Sequence, residues 1–163
     1  MAFAGGLARE DHIFKALALG APYTKLVCMG RALMIPGFLG SNIEGALDPS
    51  VKEKVHGNWD KLPASVAEFG TTPDEILSGY YDVQKKVGKD EMKNIPLGAI
   101  GVWTLADKLA AGLQQLMAGA RRFSLKAISR EDIFSANRET EKETGVPFIT
   151  DVADAKAKKI LKS

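Results

Sequence analysis

Two pairs of residues near the start of the chain have the types and spacing of an anion cradle. Gly5-Gly6 stands between an apolar stub, Ala2 to Ala4, and a helical segment that opens at Glu10. Glycines in such a place let the backbone turn tightly and leave its N–H groups bare, where they bind phosphate oxygens together with the positive end of a helix. Further on, the strand-like run Lys25-Leu-Val-Cys-Met29 ends in Gly30-Arg31 just before a second helix start. The Arg31 guanidinium adds the charge that pairs with phosphate. Two consecutive parallel strands that each end in a glycine-bearing turn form the phosphate site after the last two strands of a (β/α)8 barrel. A glycine pair between strand and helix also serves as a plain structural turn, and Arg31 also reads as a solvated surface arginine.

Other chemistry has less support. His12 and His56 are far apart and have no cysteine or histidine partners at metal-ligand spacing, so no metal site is expected. Ser41, Ser65 and the remaining serines lack an elbow motif or a paired base, which leaves nucleophilic catalysis unsupported and the catalytic residues unknown. Tyr80-Tyr81, Trp59 and Trp103 read as core or interface residues, in preference to stacking platforms. The single cysteine, Cys28, lies in an apolar run and reads as a small buried hydrophobe. It rules out an intramolecular disulfide framework, as expected in a reducing cytoplasm.

Composition narrows the class further. The 163 residues, 45% hydrophobic and 26% charged, suit one globular domain with a sizeable core. The 22 basic and 20 acidic residues are spread along the chain, so no block of like charge points to nucleic acid or an anionic membrane. The start, Met1-Ala-Phe-Ala-Gly-Gly, reads as no secretory leader, and the apolar stretch Ile95 to Ala106 falls well short of the ~20 residues that span a bilayer. A cytoplasmic protein with neither a membrane nor a nucleic-acid partner is expected.

The elements that must position the glycine turns are well punctuated. A strand stub at Ala2 to Ala4, a helix from Glu10 to Leu19 stopped by Gly20, a strand at Lys25 to Met29 and a short helix from Arg31 make an α/β opening. From Pro36 to Leu62, scattered glycines and prolines predict a long excursion loop, with one helical turn near Pro49 to Lys54. Helices are expected after it. One covers Pro63 to Phe69, and another runs from the capping box Thr72-Pro73-Asp74-Glu75 to Val87, ending at Gly88. The clearest runs from about Asn94 to Ala120, with Gly98, Gly101, Gly112 and Gly119 implying close backbone neighbours. A second box, Ser129-Arg-Glu-Asp132, predicts a helix to about Glu143 that ends at Gly145, and Val152 to Leu161 predicts a last amphipathic turn.

The runs Phe3-Ala-Gly-Gly-Leu7, Phe14-Lys-Ala-Leu-Ala-Leu-Gly-Ala21 and Met29-Gly-Arg-Ala-Leu33 resemble the phosphate-binding end of the FMN barrel in glutamate synthases and their stand-alone relatives. Asn94 to Gly101, Gln114 to Arg122, Ile128 to Ile133 and Glu139 to Gly145 resemble the helical tail that follows that barrel, so the resemblance covers most of the chain. It implies that Gly5, Gly6, Gly30 and Arg31 face an FMN phosphate. In the family, the flavin passes electrons to an imine made from 2-oxoglutarate and ammonia. This chain departs from the pattern at Ala4, where an acidic or small polar residue is common. It also lacks the clustered cysteines of an iron–sulfur centre, which one thiol cannot hold.

A complete barrel needs about 250 residues and eight strands, and at most two strands are expected here. The sequence therefore reads as mostly α with a small α/β N-terminal part. The resemblance implies that residues 1–35 are the last βα units of a flavin TIM barrel, with 36–62 as the excursion loop and 63–163 as a helical extension. The implied function is a C-terminal fragment or subunit of a glutamate synthase-like FMN-dependent oxidoreductase, inactive alone and binding FMN weakly or not at all by itself. The alternative is a non-catalytic helical assembly module derived from such an enzyme. Exposed strand edges must pair with another chain, be covered by helices or fail to form a regular sheet, and the partner expected is a second copy, as a homo-oligomer, or a chain that supplies the rest of the barrel.

Overall fold

Short apolar stubs bounded by glycine become strands, and the helical periods between them become helices. In the computed structural model, which describes residues 1–162, the chain is mostly helical with one small parallel sheet. Strand β1 (Ala2–Ala4) leads into α1 (Glu10–Leu19), β2 (Leu26–Cys28) and α2 (Arg31–Leu47). Short helices follow: α3 (Ala64–Ala67), α4 (Pro73–Ile76), α5 (Tyr80–Val87) and α6 (Lys89–Met92). The long α7 (Leu97–Gly119) comes next. Two 3-10 turns, Leu125–Ala127 and Arg130–Asp132, precede α8 (Arg138–Thr144) and α9 (Ile149–Ile160).

The chain divides into two compact units. The first comprises Met1–Gly5, Arg9–Cys28 and the residues from Leu113 onward; the second comprises Gly6–Ala8 and Met29–Gly112.

In the first unit β1 and β2 pair in parallel, with Ala2 opposite Leu26, Phe3 opposite Val27 and Ala4 opposite Cys28. A parallel pair needs a crossover, and α1 provides it. Phe14 and Ala18 on one face of α1 pack with Met117 and Ile128, and Leu17, Leu113 and Ile133 fill in around them. Each large side chain removed from water there contributes about 1.5–3 kcal/mol. Ser135 ties down the loop before α9. Its hydroxyl donates to the Val146 carbonyl at 2.7 Å, its N–H donates to the Pro147 carbonyl, and its own carbonyl accepts from the N–H of Ile149.

In the second unit Ile43, Val83, Met92, Leu97 and Ile100 form the core, with Trp59 and Trp103 against it. Glycines bring α2 and the first part of α7 to backbone distance. A Cβ placed on Gly40 would lie 2.5 Å from the Leu97 carbonyl oxygen, and one on Gly101 would lie 2.5 Å from that of Pro36. The Glu44 carboxylate accepts the Leu97 N–H at 2.9 Å, which satisfies a donor that the start of α7 leaves open.

Three expectations for the elements need correction. Residues 36 to 47 are helical, so the excursion loop is confined to the stretch beyond Leu47; Pro36 lies inside α2. Gly37 and Gly40 are contact points with α7, and that close approach overrides their low helix propensity. The helix expected from Thr72 to Val87 is broken at Leu77 to Gly79. Gly79 sits where a Cβ would come 2.1 Å from the Thr104 hydroxyl, so the chain bends there to pass α7. The box at Ser129 closes a 3-10 turn only. Ile133 is extended, and α8 starts afresh where the Asn137 side chain accepts the Thr140 N–H at 2.8 Å.

Candidate functional site

The turn after β1 is built from backbone conformations that only glycine adopts easily. Gly5 has φ of 118° and Gly6 has φ of 64°. Both are exposed, and a Cβ on either would meet nothing within 4 Å. Dihedral strain, and not crowding, is what demands glycine at these positions.

The turn after β2 is a different device. Gly30 is the N-cap of α2 with φ of −105°, and no side chain caps the helix there. Its carbonyl accepts from the N–H groups of Leu33 and Met34, which leaves those of Arg31 and Ala32 without a partner within the helix. Arg31 is exposed and makes no ion pair among the described residues. The chemistry of this donor set, bare N–H groups with one guanidinium, suits a phosphate group. Beside it a groove of about 650 Å³ is lined by Met29, Gly30, Leu33, Phe38, Ala99 and Val102 among others, with no charged side chain in its wall.

The sheet register accounts for how the turns leave. Ala4 is the direct neighbour of Cys28 across the parallel pair, so both strands finish at the same end of the sheet. Gly5 follows Ala4 at once, and Gly30 follows Cys28 with one residue between them. Cys28 itself is exposed and free, which corrects its reading as a buried hydrophobe. In a three-residue parallel strand of a two-stranded sheet, no further layer covers its side chain.

Arg9, between the glycine pair and α1, is a cation that the sequence reading passed over. Its guanidinium holds both oxygens of Asp11 at 2.9 and 3.0 Å, and Lys15 reaches the same carboxylate at 2.8 Å. These bonds keep the Asp11 carboxyl well below the usual range. The i,i+4 spacing of Asp11 and Lys15 was the available signal.

A second polar cluster is structural. The Arg122 Nε donates to both oxygens of Asp132 at 2.9 and 3.0 Å, and Asp132 in turn accepts the Ser129 N–H at 2.8 Å. Only the capping half of this cluster shows in the sequence, because Arg122 arrives from the end of α7. Among the described residues, no group of three or more histidine, cysteine or acidic side chains could hold a metal ion, and no helix is long and apolar enough to cross a membrane. His56 has a left-handed backbone, φ 55°, in the loop after α2.

No family model, no curated protein and no solved structure matches the chain.

Proposed function

We propose that this chain supplies the phosphate-binding end of a glutamate synthase-like FMN site, as the C-terminal part of a flavin barrel that needs further strands to act. The observation that carries this reading is the parallel, in-register pairing of β1 and β2 with a glycine turn leaving each strand at its C-terminal end. On this reading the N–H groups around Gly5, Gly6 and Gly30, with Arg31, hold the FMN phosphate. When bound, the flavin supplies electron transfer, and the protein's part is to bind and orient it. Two strands of the eight that a barrel needs leave the ring end of the flavin without walls, so the chain alone is inactive.

The test is a titration of FMN into the purified chain, followed by flavin fluorescence and native mass. It is repeated with the missing strands restored, either fused or as a second chain. The expected result is weak or no uptake alone and stoichiometric uptake once the strands are restored, reduced about tenfold by Arg31→Gln. Tight binding by the chain alone would sink the claim that the cradle is insufficient. Failure of uptake after restoration would sink the flavin reading.

A second reading, a non-catalytic helical assembly module, draws on one observation. Met34, Ile35 and Phe38 on α2 are 52%, 66% and 61% exposed, an apolar face of the kind that marks interaction sites. It predicts a stable oligomer with no flavin absorbance under any condition.

A further inference from the structure

The first unit contains a cavity unrelated to the glycine turns. It lies between the end of α1 and the 3-10 turn Leu125–Ala127, has a volume of about 260 Å³, and is walled by Leu17, Pro22, Leu125 and Ile128. That is room for about eight or nine waters' share of liquid volume, the size of a small organic molecule.

Two lysines, Lys25 and Lys126, are among the residues that line it, and no acidic residue is. Neither lysine takes part in an ion pair among the described residues. The backbone is pinned on both sides. The Lys25 N–H donates to the Met1 carbonyl at 2.9 Å, and the Lys126 N–H donates to the Ser124 hydroxyl at 3.4 Å. A cleft lined by one sign of charge with low-dielectric walls concentrates ions of the opposite sign. Its apolar walls at the same time favour a ligand with a hydrocarbon body.

We infer that this pocket binds a small organic anion, a carboxylate on a compact apolar body, with Lys25 and Lys126 meeting the charge and Leu17, Pro22, Leu125 and Ile128 meeting the body. The inference is independent of the flavin reading, since it uses none of Gly5, Gly6, Gly30 or Arg31.

Benzoate serves as the probe, with benzyl alcohol as its neutral counterpart and inorganic phosphate as an anion without a body. Each is titrated into the full chain while amide resonances are followed by NMR. Expected is a saturable benzoate shift confined to Leu17 and residues 21–25 and 124–128, with benzyl alcohol and phosphate at least fivefold weaker. Lys25→Gln with Lys126→Gln lowers benzoate affinity at least fivefold, whereas Lys25→Arg with Lys126→Arg retains it. The arginine pair keeps the test valid should the glutamine pair unfold the chain. No saturable benzoate shift below about 10 mM, a regime of negligible affinity, overturns the inference. So does equal binding of benzyl alcohol or phosphate, or unchanged affinity in a folded glutamine pair.

Discussion

Gly98 at the start of α7 faces Gly37 of α2 so closely that a Cβ on Gly98 would lie 2.6 Å from the Gly37 carbonyl oxygen. Backbone meets backbone at this crossing, and the neighbour that would have to yield is a peptide group, not a flexible side chain. Two opposing effects act on alanine there, a gain of about 1 kcal/mol in helix propensity and a cost of overpacking. Against a rigid neighbour, overpacking costs about 1–3 kcal/mol and wins.

Gly98→Ala and Gly40→Ala are therefore expected to destabilise the chain, read as a lower urea midpoint with an unchanged slope. Gly119→Ala, at the far end of the same helix, has no neighbour within 4 Å and should stabilise by about 0.5–1 kcal/mol. If Gly98→Ala raised the midpoint as Gly119→Ala does, the close crossing would be refuted.

Asp132→Ala removes the cap on Ser129 and the carboxylate whose two oxygens share the Arg122 Nε–H. Asp132 is largely buried, with 6% of its side chain exposed, while Arg122 keeps 32% and so part of its hydration. The expected loss is about 2 kcal/mol, from the cap and the charge-assisted bonds together. Asp132→Asn, which can still accept the Ser129 N–H, should lose less. Equal unfolding midpoints for Asp132→Ala and the parent would overturn this.

Ser135→Ala leaves the Val146 carbonyl without its hydroxyl donor at a position 2% exposed. A loss of about 1 kcal/mol is expected. Amide exchange should rise at Ile149, whose N–H bonds to the Ser135 carbonyl. Unaltered exchange along residues 146–149 would count against an anchoring role.

Arg138 bonds to Asp151 and Glu141, and these bonds hold Asp151 below its usual value; Glu141 is lowered first by the Phe148 N–H and then by Arg138. Carboxyls depressed in the folded state add stability that is complete above the ordinary carboxylate range. It is lost as the pH falls below about 4 towards the folded values. Arg138→Gln should flatten that acid dependence while changing stability little near pH 7, since the groups are exposed. Parallel curves of urea midpoint against pH for parent and variant would show that the pairs carry no linkage.

Much of the local structure is legible in the residues. The bounds of α1, the stop at Gly20 and Gly88, the Thr72 box and the long α7 follow from caps and a 3.6-residue period, which are local properties. The glycine turns after β1 and β2 are legible for the same reason. The start of α2 at Arg31 is legible too, but its continuation from Pro36 to Leu47 is not, because Pro36, Gly37 and Gly40 carry breaker propensities that are outweighed only by contacts with residues 97–102. The pairing of Arg122 with Asp132 and the approach of Lys25 and Lys126 to one cavity were equally hidden, since nothing in their spacing announces them.

The sequence by itself determined where the backbone turns: Gly5 and Gly6 take conformations that other residues resist, and Gly30 opens a helix that no side chain caps. Tertiary structure alone decided that Ala4 lies beside Cys28, so that both turns leave from one end of a parallel sheet. It alone decided, too, which glycines are breakers and which are contacts. The reason is physical: a dihedral preference belongs to one residue, whereas a register or a close crossing exists only once distant segments have paid the entropy of meeting.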